Sequence, residues 1–165
     1  MARPSGLPVI EDGSAAVTVS VAHVEIRGRL NILPRWRSRV GWLKSETADV
    51  LALMIFIEPG LISIRAWEPS GPRIQQRYVE IAATTDADAH EALRLIQDRY
   101  QRLVIPPSDR VSLGDAALAH LGLPVERGTK SLIYVCVSSD RLELLSPAYR
   151  NSKLTEGHPL IEDLT

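Results

Sequence analysis

The stretch Glu25-Ile26-Arg27-Gly28-Arg29-Leu30-Asn31-Ile32-Leu33-Pro34 returns in altered form as Asp98-Arg99-Tyr100-Gln101-Arg102-Leu103-Val104-Ile105-Pro106-Pro107. Laid over one another, the two copies set Glu25 on Asp98, Arg29 on Arg102, Leu30 on Leu103, Ile32 on Ile105 and Pro34 on Pro107. The segments downstream of the two copies are also alike. The first copy leads to Leu53-Met54-Ile55-Phe56-Ile57, a Pro59-Gly60 turn and Leu61-Ile62-Ser63-Ile64; the second leads to Leu132-Ile133-Tyr134-Val135-Cys136-Val137, a Ser139-Asp140 turn and Leu142-Glu143-Leu144-Leu145. Each unit therefore reads as a strand, a short helical or irregular link and a β-hairpin. A chain built twice from such a unit is mainly β with short helices, an α+β protein whose halves are related by internal symmetry.

The 165 residues, 45% of them hydrophobic, suit one compact domain or two closely packed halves. A single cysteine, Cys136, rules out an internal disulfide and a cysteine-based zinc cage, and His23, His90, His120 and His158 have no ligand spacing. No metal and no cofactor is expected. Cys136 falls in the apolar alternation of a strand and reads as a small buried hydrophobe. The longest apolar run, Val50 to Ile57, is far shorter than the roughly 20 residues a bilayer needs, and no basic-then-apolar leader opens the chain. A cytoplasmic setting is expected.

Net charge is −1, yet between His23 and Lys44 the basic residues Arg27, Arg29, Arg35, Arg37, Arg39 and Lys44 face Glu25 alone. A nearly neutral protein can thus present one basic face.

Along the chain, residues 1–15 form an arm rich in proline and glycine. Residues 16–83 form the first unit, opening with the alternation of Val17, Val19 and Val21 that marks a strand. Gly28 suggests a bulge or turn. One or two helical turns come after Pro34, a hairpin runs from Leu51 to Trp67, Trp67 to Pro72 ends regular structure, and Tyr78 to Ala83 reads as a further short strand. A linker helix spans 84–97, with Ala89, Leu93 and Ile96 at helical spacing. The second unit, 98–154, carries a short helix from a Ser112 cap to a Gly122 terminator, a hairpin from Ser131 to Leu145, and a terminal helix entered through Ser146-Pro147. Residues 155–165 form a tail.

The pattern acid-x-x-Gly-Arg-Leu-x-Ile-x-Pro, followed by a short helix and a hairpin, resembles the swapped-hairpin proteins of the AbrB/SpoVT class of bacterial transcription factors. Its duplication within one chain resembles the MraZ family, over roughly Val21 to Lys153. The resemblance implies a tandem swapped-hairpin AbrB-like β-barrel, closed as a pseudo-dimer within one chain. It also implies a nucleoid-associated DNA-binding regulator of promoter repeats, acting as a ring-like homo-oligomer. On that resemblance the DNA-binding residues are Arg29 and Arg102, with Arg37 and Arg110 eight residues after them and Arg27 and Arg35 as further positive charges of the first copy. Glu25 and Asp98 are the acidic partners of the two motif arginines.

Physically, a guanidinium can meet phosphates and, bidentately, the edge of guanine in the major groove. A carboxylate four residues earlier repels phosphate, so its fitting role is to hold the arginine in one orientation. No phosphate-cradling glycine loop, metal-ligand cluster or nucleophile elbow is present, so no catalytic residue is assigned and an enzyme is not expected. The competing expectation is a protein-interaction module, the antitoxin of a toxin pair or an assembly scaffold. Its tail, with Leu160-Ile161-Glu162-Asp163-Leu164, would engage a protein partner. Trp36 and Trp42 read as packing anchors between halves or subunits rather than base-stacking platforms.

Overall fold

The computed structural model describes residues 18–25, 28–44, 47–84, 87–123 and 131–155. The expected arm, Arg27, the Thr85-Asp86 start of the linker helix and the partner-binding segment of the tail lie outside them. The first unit contains β1 (Thr18–Glu25), β2 (Arg29–Asn31), α1 (Pro34–Arg39), a 3-10 turn at Gly41–Leu43, β3 (Val50–Phe56), β4 (Leu61–Ala66) and α2 (Ser70–Ala82). The connecting helix α3 (Ala87–Arg99) leads into β5 (Tyr100–Ile105), β6 (Arg110–Ser112), α4 (Asp115–Leu121), β7 (Ser131–Val137), β8 (Arg141–Leu145) and α5 (Pro147–Thr155).

The eight strands are hydrogen-bonded in the order β5-β3-β4-β8-β7-β1-β2-β6, each pair antiparallel. This order interleaves the units. β1 of the first pairs with β7 of the second, Val24 opposite Ser131, while β5 of the second pairs with β3 of the first, Ile105 opposite Val50. Two strand pairs straddle a local two-fold axis. β2 meets β6 with Leu30 opposite Val111, and β4 meets β8 with Ser63 opposite Glu143. The axis exchanges Arg29 with Arg110 and Asn31 with Ser112. Two backbone bonds obey it: Ile32 N–H donates to Asp109 O at 2.8 Å, and Leu113 N–H donates to Gly28 O at 2.8 Å.

The internal repeat is therefore present, but its register differs from the one suggested by matching letters. The structural counterpart of Arg29 is Arg110, eight residues beyond Arg102. Gly28 corresponds to Asp109, and both hold a left-handed backbone, φ 76° and 66°. Glycine adopts this at little cost, and aspartate is among the few other residues that do so readily. The chemical likeness of Asp98 to Glu25 concealed that Asp98 belongs to the last turn of α3, whereas Glu25 lies on strand β1.

The expected closed barrel is not formed. β1 and β2 are laddered, Val24 with Leu30 and Glu25 with Arg29, but β5 and β6 share no ladder and stand at opposite ends of the strand order. The physical reason lies in Pro106, which occupies the place of Glu25 and has no N–H to donate. The fold is instead an open α+β arrangement with five α-helices among the described residues.

Of Tyr78 to Ala83, expected as a strand, all but Ala83 belong to α2, and Ala83 caps its C-terminus. Ile74, Tyr78 and Ile81 share one helical face, and Pro72 sits in the first turn, where a missing N–H costs nothing. The short second helix starts at Asp115 after Gly114 rather than at a Ser112 cap, and ends as expected on left-handed Gly122. α5 does carry its cap: Ser146 Oγ accepts the Tyr149 N–H at 3.1 Å.

One face of the sheet, including Val24, Leu30, Ile62, Ile64, Ile133, Val135, Leu142 and Leu144, packs with Trp36 of α1 and Leu118 of α4 into the main core. Burying such side chains contributes about 1.5–3 kcal/mol each before entropy is counted. Trp36 is sealed in this core. Trp42 ties the halves together, its Nε1 donating to Asp140 O at 2.7 Å.

Candidate nucleic-acid interface

Alternation along β2 and β6 decides what the two-fold presents to solvent. Leu30 and Val111 point inward and are buried; Arg29, Asn31, Arg110 and Ser112 point outward and are exposed. The register sets Arg29 opposite Ser112 and Asn31 opposite Arg110. Directly opposed side chains on such a ribbon have Cβ atoms about 5 Å apart and diagonal ones about 7–8 Å. The two arginines thus stand on a diagonal, each beside a small polar residue. Among the described residues neither guanidinium has an ion-pair or hydrogen-bond partner. Glu25 lies opposite Arg29 on the neighbouring strand, and its side chain is outside the described set.

The other expected arginines separate into distinct roles. Arg35 is exposed on α1 beside the ribbon's first unit, and Lys44 is exposed beyond the 3-10 turn. Arg37 does not face solvent. It is buried, with Nε on the Asp109 carboxylate, Nη1 donating to Leu43 O at 2.9 Å and Nη2 donating to Pro106 O at 2.7 Å. This guanidinium holds the turn at which the β5–β6 ladder fails, sharing the Pro106 carbonyl with the Asp109 N–H, which donates to it at 3.1 Å. In the other half the place of Arg37 is taken by Leu118, whose Cγ would lie 3.4 Å from a Cβ on Gly28. A charged pair in one half thus replaces an apolar contact against glycine in the other. Pro34, Arg37, Ser38, Lys44, Pro107 and Asp109 line a groove of about 520 Å³ next to this clamp.

Arg102 is exposed on β5, opposite Leu53, and so is not a member of the ribbon. Asp98 does not orient it. Its carboxylate receives Arg94 Nη1 at 3.3 Å on the surface of α3, and Arg94 also bonds Glu91, whose carboxyl it holds below the usual range.

At the opposite end of the two-fold lies a buried polar group. Ser63 Oγ donates to Glu143 Oε1 at 3.1 Å, Arg65 Nε donates to Ser63 Oγ at 3.0 Å, and Arg141 Nη1 lies 3.8 Å from the Glu143 carboxylate. Burial pushes the Glu143 carboxyl up to about 7, against the pull of Arg65, Ser63 and Arg141. Burial, with Glu143 adjacent, pushes the Cys136 thiol up to about 12, so the cysteine is a packed apolar group rather than a nucleophile. Among the described residues no cluster of histidine, cysteine, aspartate and glutamate could hold a metal ion, and no helix is long and apolar enough to cross a membrane.

Asn31 and Ser112 are members of the patch that charge and motif spacing do not single out. A sequence signal for them does exist. Arg29-Leu30-Asn31-Ile32 and Arg110-Val111-Ser112-Leu113 share the order arginine, apolar, small polar, apolar, and each comes directly after a residue that tolerates a left-handed backbone. No protein-family model matches this chain, and neither does any curated protein.

Proposed function

We propose that the protein is a DNA-binding transcriptional regulator that lays the β2–β6 ribbon into the major groove. The observation that carries this reading is the two-fold pair Arg29 and Arg110, exposed and without partners among the described residues, each beside Asn31 or Ser112. The major groove, about 12 Å wide, admits a two-stranded ribbon. The ribbon's outward residue types are those that read base edges: arginine fits guanine, asparagine fits adenine, and serine serves either. Arg35 and Lys44 flank it as phosphate contacts. The resemblance to the MraZ family belongs to the same proposal, in which Arg110 is the second unit's counterpart of Arg29. So do action as a homo-oligomer, nucleoid association and the absence of catalysis. A ribbon with a handful of phosphate contacts binds weakly at physiological salt, and several ribbons on one assembly raise avidity through effective concentration.

The test is a salt-titrated binding assay on the DNA upstream of the protein's own gene. Arg29→Ala and Arg110→Ala are each expected to weaken binding by about tenfold or more, consistent with about 1–3 kcal/mol per base-reading arginine. Arg102→Ala should leave affinity within about twofold. Equal loss from Arg102→Ala, or unchanged binding after Arg29→Ala and Arg110→Ala together, refutes the ribbon as the interface.

A further inference from the structure

The two-fold leaves α3 without a counterpart, because it is the segment that joins the two units. Where α2 and α3 cross the outer face of β3 and β5 they border an open groove of about 340 Å³. That volume is at the small end of the range for sites that hold one organic molecule. Its walls are Leu53, Ile74 and Ile96 with the rings of Trp67, Tyr78 and Tyr100, and its rim carries three glutamines and Arg102.

Two of the three rings, Trp67 and Tyr78, are held in place. The Trp67 ring lies against the first turn of α2 so closely that a Cβ on Gly71 would fall 2.2 Å from it, which only glycine permits. The Tyr78 hydroxyl accepts a hydrogen bond from Gln97 Nε2 at 2.9 Å, pinning α2 to α3. Rings held in this way lose little freedom when a ligand enters.

The charge of the site is one-sided. Among the described residues Arg102 is the only charged one lining the pocket, and it has no ion-pair or hydrogen-bond partner there. It stands opposite Leu53, which is buried, so its guanidinium borders an apolar floor. A planar fork of this kind pairs bidentately with a carboxylate, and a flat ring is the shape that stacks on tryptophan and tyrosine. We infer that this pocket binds a small aromatic carboxylate, with the ring between Trp67, Tyr78 and Tyr100 and the carboxylate on Arg102. The inference does not rest on the DNA reading, since no residue is shared between the pocket and the ribbon.

The probes are 1-naphthoate and its neutral isostere 1-naphthamide, titrated into the full chain and followed by tryptophan fluorescence and calorimetry. Naphthoate is expected to bind about tenfold more tightly than naphthamide, the difference a charge-assisted pair supplies. Arg102→Gln should erase that preference while leaving naphthamide binding unchanged. Ile74→Trp, which fills the cavity without touching Arg102, should abolish uptake of both, with thermal melts confirming that the variant folds. The inference is overturned by no naphthoate binding at millimolar concentration, by equal affinity for the two probes, or by uptake that survives Ile74→Trp. It is also overturned if sedimentation shows that Arg102→Gln and Ile74→Trp dissociate a self-associated chain that takes up no naphthoate, because the occupant is then a second copy.

Discussion

Arg37→Met removes the guanidinium at the junction of the two units while keeping an unbranched apolar stem in its place. The arginine side chain is 10% exposed, and its acceptors include the Asp109 carboxylate, Leu43 O and Pro106 O. Hydrogen bonds to charged groups contribute about 1.5–3 kcal/mol each, and stripping one partner from a buried ion pair costs about 3–5 kcal/mol. The Asp109 side chain is 30% exposed, so water recovers part of its solvation and the lower end of that range applies. The expected loss is about 3 kcal/mol, or roughly 6–12 °C in Tm for a chain of this size. Urea unfolding measures it. Asp109→Asn completes a double-mutant cycle, because asparagine also tolerates the left-handed backbone at this turn. A coupling of about 1–2 kcal/mol is expected between the two positions. Loss below about 1 kcal/mol refutes the clamp. A folded Arg37→Met variant should also keep the wild-type salt slope for DNA; a slope reduced by about one unit would return Arg37 to the interface and refute its structural role.

The buried groups on the outer face of the central strands lead to two further expected outcomes. Glu143 has a folded-state value of about 7 against an ordinary 4.5, so the unfolded chain ionises first as pH rises. Stability is therefore undiminished below about pH 4.5, falls between there and about pH 7, and carries the full cost above, at most about 3 kcal/mol. Ser63, Arg65, Asp140, Arg141 and Cys136 are the groups facing this carboxyl. Glu143→Gln should abolish that fall, as read from urea midpoints across the range, and an unchanged pH profile in the variant would contradict the assignment. Cys136 is 1% exposed with its thiol pushed up to about 12, so native protein should resist iodoacetamide at pH 8 and label only in denaturant. Labelling of the native chain at the rate of a free thiol would show that β7 is not packed as described.

Much of the element order was legible because it rests on short-range chemistry. The Pro59-Gly60 turn between two β-branched runs marked β3 and β4, the left-handed glycine at Gly122 ended α4, and Ser146-Pro147 opened α5. α2 was missed because two prolines and a glycine at its entrance read as a breaker, whereas Pro72 occupies a first-turn position that has no need of an N–H. For the site, Arg29 and Arg110 were both named from the sequence, but the pairing of Arg29 with Arg102 was not the spatial one. Arg37, which the resemblance assigns to DNA contact, is instead buried and bonded to Asp109, Leu43 O and Pro106 O.

By itself, the amino-acid order determined that the chain is two similar β-rich units joined by a helix, since alternation, turns and caps are properties of a few adjacent residues. Only the tertiary structure decided which arginines form a pair. Residue likeness at one spacing cannot reveal register, because a strand is placed by the partner it hydrogen-bonds and by the face it buries. Leu30 and Val111 meet across the two-fold, and that meeting sets Arg29 with Arg110 on the outer face. The same holds for closure of the sheet. Whether Pro106 breaks a ladder depends on β6 being the strand it would have joined, a long-range fact that no local pattern carries.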